Sequence, residues 1–299
     1  MSFDEAFKSV LISKQAKISL RQNHLVINQS ENEAKLYLKD IAFVICESPH
    51  ITITSALLSA FAKYKIILLI CDESHIINGI FTPFLGHFKS AKLAKEQLGT
   101  KPQKRAILWQ KIIKNKIINQ AKVLETQGFQ KECNDLISLA KIVALNDSKN
   151  IEANAAALYF KTLFGKNFSR NNPNIINSML NYGYAILRAC VIRAVCVSGL
   201  LSWAGIKHSN IYNEFNLCDD LMEVFRPFVD ICVLDLCKQN RTEFTLSKDD
   251  KKALIENLQY EVNVGTQRFT LNRGVNRFVQ SFRAALLGDD MLVSVDFVN

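Results

Sequence analysis

Proline and glycine are scarce in this 299-residue chain, at 5 and 11 residues. That excludes long flexible linkers and low-complexity tracts. Apolar runs such as Ile66-Ile-Leu-Leu-Ile70 are far too short to cross a bilayer, so no transmembrane helix and no membrane partner are expected. The N-terminus lacks a basic region followed by an apolar one. No secretory signal is therefore expected, which points to the cytoplasm. None of the 8 cysteines forms a CxxC pair, so a zinc site of the usual spacing is unsupported. In a reducing compartment they read as small buried hydrophobes, with a disulfide framework as the alternative. A Gly-rich Walker-type lysine motif is absent, as is a nucleophilic-serine motif, so nucleotide hydrolysis and serine-based catalysis lack support.

Charge is unevenly spread. The chain holds 37 basic and 28 acidic residues. Between Lys89 and Lys122 lie ten of the basic ones and a single acid, Glu96, so this window carries the whole positive excess. Such a stripe attracts a polyanion through counterion release. A solvated helix face is the plain alternative. The missing compensating acids favour nucleic acid.

The hydrophobic pattern indicates an α+β chain, with an N-terminal β-rich domain followed by an all-α catalytic domain. Short β-branched or alternating segments predict strands at 9–13, 16–21, 25–27, 34–39, 41–46, 66–71 and 76–81, with a helix over 54–65. A turn is expected at Asp72–His75. The first domain is placed at 1–85, a linker at 83–88 and the helical domain at 89–299. Helical spacing predicts a long basic helix from Lys101 to about Gln127, then helices at 130–144, 150–163, 173–200, 219–238, 248–264 and 270–287. Asn150 and Ser247 are expected caps, and Gly128 and Gly165 expected stops.

The segment from Asn216 to Asp230 sets Asp219, Asp220 and Glu223 on an otherwise apolar stretch. Ionised carboxylates are costly to desolvate unless something positive pairs with them. Three within five residues, with His208 upstream, suggest a divalent cation. Asp219 and Asp220 also suit a first helical turn without any function. Glu223 can instead pair with Arg226, and Arg226 with Asp230. Pro227 is expected to kink or interrupt the helix. Glu152 shares a helix face with Ala155, Ala156 and Tyr159, and is also well placed for the helix dipole. His208 taken alone decides nothing. Together, a mixed oxygen and nitrogen set suits Mg²⁺ or Mn²⁺, and beside a basic helix the natural chemistry is metal-assisted phosphoryl transfer on nucleic acid.

Four blocks resemble the CRISPR-associated integrase, the endonuclease of the spacer-acquisition module. They are Glu152-Ala-Asn-Ala-Ala-Ala-Leu-Tyr159, Leu180-Asn-Tyr-Gly-Tyr-Ala-Ile-Leu-Arg188, Gly205-Ile-Lys-His208 and Asn213-Glu-Phe-Asn-Leu-Cys-Asp-Asp-Leu-Met-Glu-Val-Phe-Arg-Pro-Phe-Val-Asp230. The compact length and Leu108-Trp-Gln-Lys-Ile-Ile-Lys-Asn-Lys-Ile-Ile-Asn-Gln-Ala121 look like the type II form. The resemblance covers nearly the whole chain.

It implies a homodimer formed in part by the N-terminal domain, and metal ligands at Glu152, His208 and Glu223, assisted by Asp220. It further implies attack by the 3′-hydroxyl of a short spacer duplex on the CRISPR leader-repeat, with the small ferredoxin-like adaptation protein as partner. Val224 stands where many relatives have Pro, and Cys218 where Ala is usual. Some relatives carry Asp at the position of Glu223. Lys101, Lys104, Arg105, Lys111 and Lys114 are candidate phosphate contacts. Tyr182, Tyr184 and Arg188 either line the site, with Tyr184 and Arg188 as DNA contacts, or pack beneath it. The same residues would also serve a structure-selective nuclease acting on branched repair intermediates. A non-catalytic DNA scaffold, with the acids as caps and ion pairs, is a third reading.

Overall fold

The computed structural model describes residues 6, 8–30, 32–73, 77–84, 87–238, 245–288 and 290–298. Ser74 and His75 of the expected turn, Ile76 of the expected strand, and residues 85–86 of the expected linker lie outside the described residues. The chain divides into two compact units. One is Met1–Ser90 with Ile192–Gly199, and the other is Ala91–Val191 with Leu200–Asn299. A single boundary at 83–88 made no provision for the return of Ile192–Gly199 to the first unit.

The first unit is built on β1 (Lys8–Ile12), β2 (Ala16–Arg21), β3 (His24–Gln29), β4 (Asn32–Tyr37), β5 (Ile41–Cys46), β6 (Ile51–Ile53), α1 (Ser55–Tyr64), β7 (Ile67–Cys71) and β8 (Ile77–Phe81). One sheet runs β1-β5-β7-β8 and the other β4-β3-β2-β6. β5 is buried along its whole length, which is why it reads as an unbroken apolar run. It pairs parallel to β1 and β7, and α1 supplies the crossover between β5 and β7. β2 and β3 form a hairpin whose two loop residues, Gln22 and Asn23, both have positive φ, as a tight right-twisting turn demands. Ile12, Ile18, Leu25, Leu38, Val44, Phe61 and Leu68 form one core fed by both sheets and α1. Thr54 caps α1, and the buried Arg193 donates to the carbonyl of Lys65 at its other end, 2.8 Å away. The short β6 was not expected from the sequence.

The second unit holds α2 (Ser90–Leu98), α3 (Pro102–Thr126), α4 (Gln130–Lys141), α5 (Ile151–Phe164), α6 (Ile175–Ser198), α7 (Asn216–Met222), α8 (Arg226–Cys237), α9 (Lys248–Glu256), β9 (Glu261–Val264), β10 (Gln267–Thr270), α10 (Leu271–Leu287) and β11 (Val295–Phe297). The first residue of α2 and the last turns of α6 fall in the first unit. The second unit is mostly helical but not all-α, since β10-β9-β11 form a small antiparallel sheet. The expected helix over 248–264 stops at Glu256. Val262 and Val264 then point inward with period two, and Gly265 turns the chain at positive φ. Ser247 forms a reciprocal capping box with Asp250 at the start of α9. Asn150 does not cap α5. Asp147 does, accepting from the amides of Ile151 at 2.9 Å and Glu152 at 3.0 Å. Gly128 and Gly165 end α3 and α5 at positive φ.

α6 is long and apolar enough to cross a membrane by length and composition. In the structure 72% of its apolar window is buried inside the molecule, the packing of a core helix. Cys46, Cys71, Cys133, Cys190 and Cys218 are buried as small apolar side chains, and no disulfide forms among the described residues.

Candidate active site

α3 is the ruler of the site. Its apolar stripe of Leu108, Ile112, Ile113, Ile117 and Leu124 is buried, and the polar or aromatic Trp109, Lys116, Asn119 and Gln120 are buried with it. Trp109 packs edge-on against the His208 ring, with centroids 5.6 Å apart. Two turns on, the Nζ of Lys116 lies 2.6 Å from Oε1 of Glu152 and 2.5 Å from Oε2 of Glu223. Asn119 donates to the carbonyl of Val224 at 3.0 Å and so ties down the 3₁₀ turn Glu223–Phe225. That turn separates α7 from α8, and Pro227 at the start of α8 is the reason the helix is interrupted there.

Glu152 sits in the first turn of α5, placed by the Asp147 cap. Glu223 is 7% exposed. Burial opposes its charge, but Arg226 first and Lys116 second outweigh it and pull its pKa to about 2. Arg226 donates through Nε to Oε1 at 2.7 Å. The i, i+3 pair read from sequence therefore forms. Arg226 makes no hydrogen bond to Asp230. That buried carboxylate accepts from the hydroxyls of Tyr159, at 3.0 Å, and Tyr184. The face of Tyr184 carries Arg226 at 4.6 Å and Arg170 at 5.5 Å.

The loop bearing His208 is held by Asp220, which is fully buried. Its Oδ2 accepts from the amides of Ile206 at 2.8 Å and Lys207 at 3.0 Å. Its Oδ1 accepts from the amide of His208 at 3.3 Å and meets Nδ1 of the ring at 2.5 Å. The carboxylate thereby fixes the ring, leaving Nε2 for other work. That hydrogen bond, ahead of the charges of Asp220, Glu223 and Glu152, raises the imidazole pKa against the effect of burial. Asp219, one residue away, points elsewhere and is gripped by Arg188 at 2.6 and 2.8 Å and by Asn213 at 2.7 Å. It does not join the carboxylates at Lys116.

Gly205 is required by close approach. A Cβ there would meet the carbonyl oxygen of His208 and lie 2.8 Å from Oδ2 of Asp220. Gly205→Ala should displace the histidine loop and lower any activity of the site roughly 10- to 100-fold. A crystal structure of the variant with His208 unmoved would contradict this.

A cavity of about 520 Å³ opens over these groups, lined by Arg170, Tyr184, Arg188, His208, Asp219, Glu223 and Arg226 among others. Tyr184 and Arg188 thus line it, but both are engaged within the fold, by Asp230 and Asp219. Tyr182 is buried. Along α3, Lys104 donates to the carbonyl of Gly288, and Arg105 caps the end of α2 through the carbonyls of Gln97 and Leu98. Lys111 and Lys114 border a separate recess of about 300 Å³, and Lys101 is exposed. Lys116, counted in the basic stripe by sequence, is buried instead. Its position among Ile112, Ile113 and Ile117 is the signal that marks it.

Among the described residues no three His, Cys, Asp or Glu side chains converge closely enough to hold a metal ion as they stand. The ammonium of Lys116 fills the point where the two glutamates meet. Two carboxylates from separate elements aimed at one cation, beside an imidazole whose Nδ1 is already anchored, are nonetheless a donor set that suits a hard divalent ion. The residues fit the group.

The carboxylates and the anchored histidine beneath a cleft lined by Arg170, Arg188 and Arg226 make a site suited to chemistry on an anionic substrate. Residues 10–259 match the family described as CRISPR associated protein Cas1. The chain belongs to that family. It is 38% identical over 280 residues to a CRISPR-associated endonuclease Cas1 of Neisseria meningitidis, covering 94% of this chain and 92% of that protein. Among solved structures, a casposase bound to integration product superposes with a TM-score of 0.78 at 19% identity, over 96% of this chain and 92% of that one. A chain of a Cas6-RT-Cas1–Cas2 complex superposes at 0.72 and 20% identity, over 94% of this chain and 35% of that longer one.

Proposed function

We propose that this chain is a metal-dependent DNA integrase of CRISPR spacer acquisition. It would join the 3′-hydroxyl ends of a short spacer duplex to the CRISPR repeat by transesterification. The observation that carries the reading is the convergence of Glu152 and Glu223 beside an Asp220-anchored His208. Membership in the Cas1 family supports it, as does likeness to a casposase bound to integration product.

Glu152, Glu223 and Nε2 of His208 would hold Mg²⁺ or Mn²⁺. Where bound, the ion would polarise the scissile phosphate and offset the charge developing on it. Arg226 and Lys116 keep Glu223 ionised through the neutral range. Arg170 and Arg226 bring positive charge to the cleft wall, where a phosphate backbone would lie. Asp220 holds the imidazole in one orientation, so it either binds the ion or hands a proton to the leaving 3′-oxygen. Each joining makes one phosphodiester as it breaks another, so no external energy source is needed. The exposed Lys101 and the half-buried Lys104, Lys111 and Lys114 of α3 are the proposed backbone contacts. A second copy of the chain and the small ferredoxin-like adaptation protein are the proposed partners, the latter in keeping with the Cas1–Cas2 structural neighbour.

The test is strand transfer. The protein and its small partner are mixed with a labelled 3′-hydroxyl duplex and a leader-repeat plasmid, with Mn²⁺ or EDTA. Metal-dependent joining at the repeat boundary is the expected result. Metal-dependent nicking of branched DNA without joining would replace this reading with the repair nuclease.

A further inference from the structure

We propose that Lys116 is a built-in counter-cation of the metal site. It holds Glu152 and Glu223 together before metal arrives, and admits a divalent ion only as its ammonium passes to a phosphate of the bound DNA. The inference rests on the metal-dependent reading above and adds a control to the same site.

The geometry is specific. One buried ammonium bridges two carboxylates from α5 and from the 3₁₀ turn after α7, at 2.6 and 2.5 Å. The side chains of Lys116 and Glu223 are each 9% exposed. Two carboxylates aimed at one point repel unless a cation stands between them, so the lysine gives the site its shape without metal. A divalent ion would need the same oxygens at about 2.0–2.2 Å, as a hard divalent cation requires. Ammonium and metal therefore exclude one another.

The cost of moving Lys116 decides when metal can enter. A buried ammonium without an anion is strongly disfavoured. Its four-carbon stem can swing to a new partner, and a phosphate oxygen is an anion of the right kind. Glu223 is not orphaned by the move, because Arg226 keeps its Oε1. Metal entry and DNA binding then favour one another. Linkage makes that reciprocal, so DNA tightens metal binding by the factor by which metal tightens DNA binding. A site built this way stays short of metal until a substrate phosphate is in place, which would restrain metal-dependent cutting in its absence.

The experiment is Mn²⁺ binding by calorimetry on the full chain. It is run without DNA and then with a duplex ending in 3′-dideoxynucleotides, which cannot react. Lys116→Gln removes the charge but keeps a polar group, and Lys116→Arg keeps the charge. Without DNA, Lys116→Gln should bind Mn²⁺ at least tenfold tighter than the parent, and Lys116→Arg should bind it more weakly. DNA should tighten Mn²⁺ binding in the parent and leave Lys116→Gln unchanged. A merely structural lysine would give no gain in affinity. Should the Gln variant fail to fold, the Arg variant and the DNA dependence of the parent carry the test.

Equal or weaker binding by Lys116→Gln overturns the inference. Glu152→Gln separates the two readings. If it loses Mn²⁺ binding while Lys116→Gln gains none, the counter-cation falls and the metal site stands. If Glu152→Gln binds Mn²⁺ like the parent, both fall.

Discussion

Asp220→Ala will lower stability by about 3–5 kcal/mol, the usual cost of removing one partner from a buried charged network. It will also reduce DNA joining by roughly a thousandfold, within the range for loss of an acid–base or metal-orienting group. Asp220 is fully buried, and its two oxygens take up the amides of Ile206, Lys207 and His208 together with the imidazole. Removing it leaves three amides without an acceptor and frees the ring.

His208→Ala separates the two effects. That side chain is 54% exposed, so its loss should change stability by no more than about 1 kcal/mol while joining falls as far. Asp220→Asn gives a third pattern. Its carbonyl can keep the amides of Ile206 and Lys207, but its NH₂ would face Nδ1 of the ring. The proton would then move to Nε2, the nitrogen needed at the carboxylates. The NH₂ also faces the amide of His208, so Asp220→Asn should lose less stability than Asp220→Ala and still fail to join DNA. Urea denaturation and strand transfer on the three variants check this. Parent-like stability in Asp220→Ala would show that the histidine loop is held by something else.

Asp219 and Asp220 show where sequence stops being informative. They are adjacent and of one type, and both fit a metal set or a helix start. A 100° helical step sends one to Arg188 and Asn213 and the other beneath the histidine loop. Their partners come from other elements, so no local pattern separates the two. Lys116 is the same problem in reverse. Its neighbours Ile112, Ile113 and Ile117 place it on the buried face, but Glu152 lies 36 positions away, and charge counting alone places it in the basic stripe. Glu152, His208 and Glu223 could be singled out because unusual residue types stand in apolar or motif-bearing surroundings. The strands of the first unit were legible for the opposite reason, since β-branching and period two are local properties. β9 was not legible, because four residues directly after a helix carry too short a period to register.

The second large effect is a pH dependence seated in Asp230. Relative to Asp230→Asn, the stability of the parent should fall by about 2 kcal/mol as pH rises from about 4 to about 6, the larger part of the roughly 3 kcal/mol that a shift of about two pKa units carries in all. Asp230 is 1% exposed. Burial raises its pKa to about 6, against the hydroxyls of Tyr184 and Tyr159 and the charge of Arg226, which favour the anion. The folded chain therefore holds a proton on Asp230 where the unfolded chain has released it. Stability is greatest below the unfolded pKa and is lost as pH climbs through the folded one. Glu223 has the opposite sign. Its pKa of about 2 means a contribution present above about 4.5, the ordinary glutamate value, and lost as pH falls through about 2. The interval from 4.5 to 6 thus belongs to Asp230, and His208, whose raised pKa acts at higher pH, cancels in the comparison of the two proteins. Urea melts at half-unit steps across that interval measure the difference directly, and a constant difference would mean that Asp230 ionises as an ordinary exposed acid. The cost at neutral pH falls beneath the cleft. There the ionised carboxylate accepts from both tyrosines, and Tyr184 in turn supports the face of Arg226, which grips Glu223. Stability given up at Asp230 is spent where the position of Glu223 is decided.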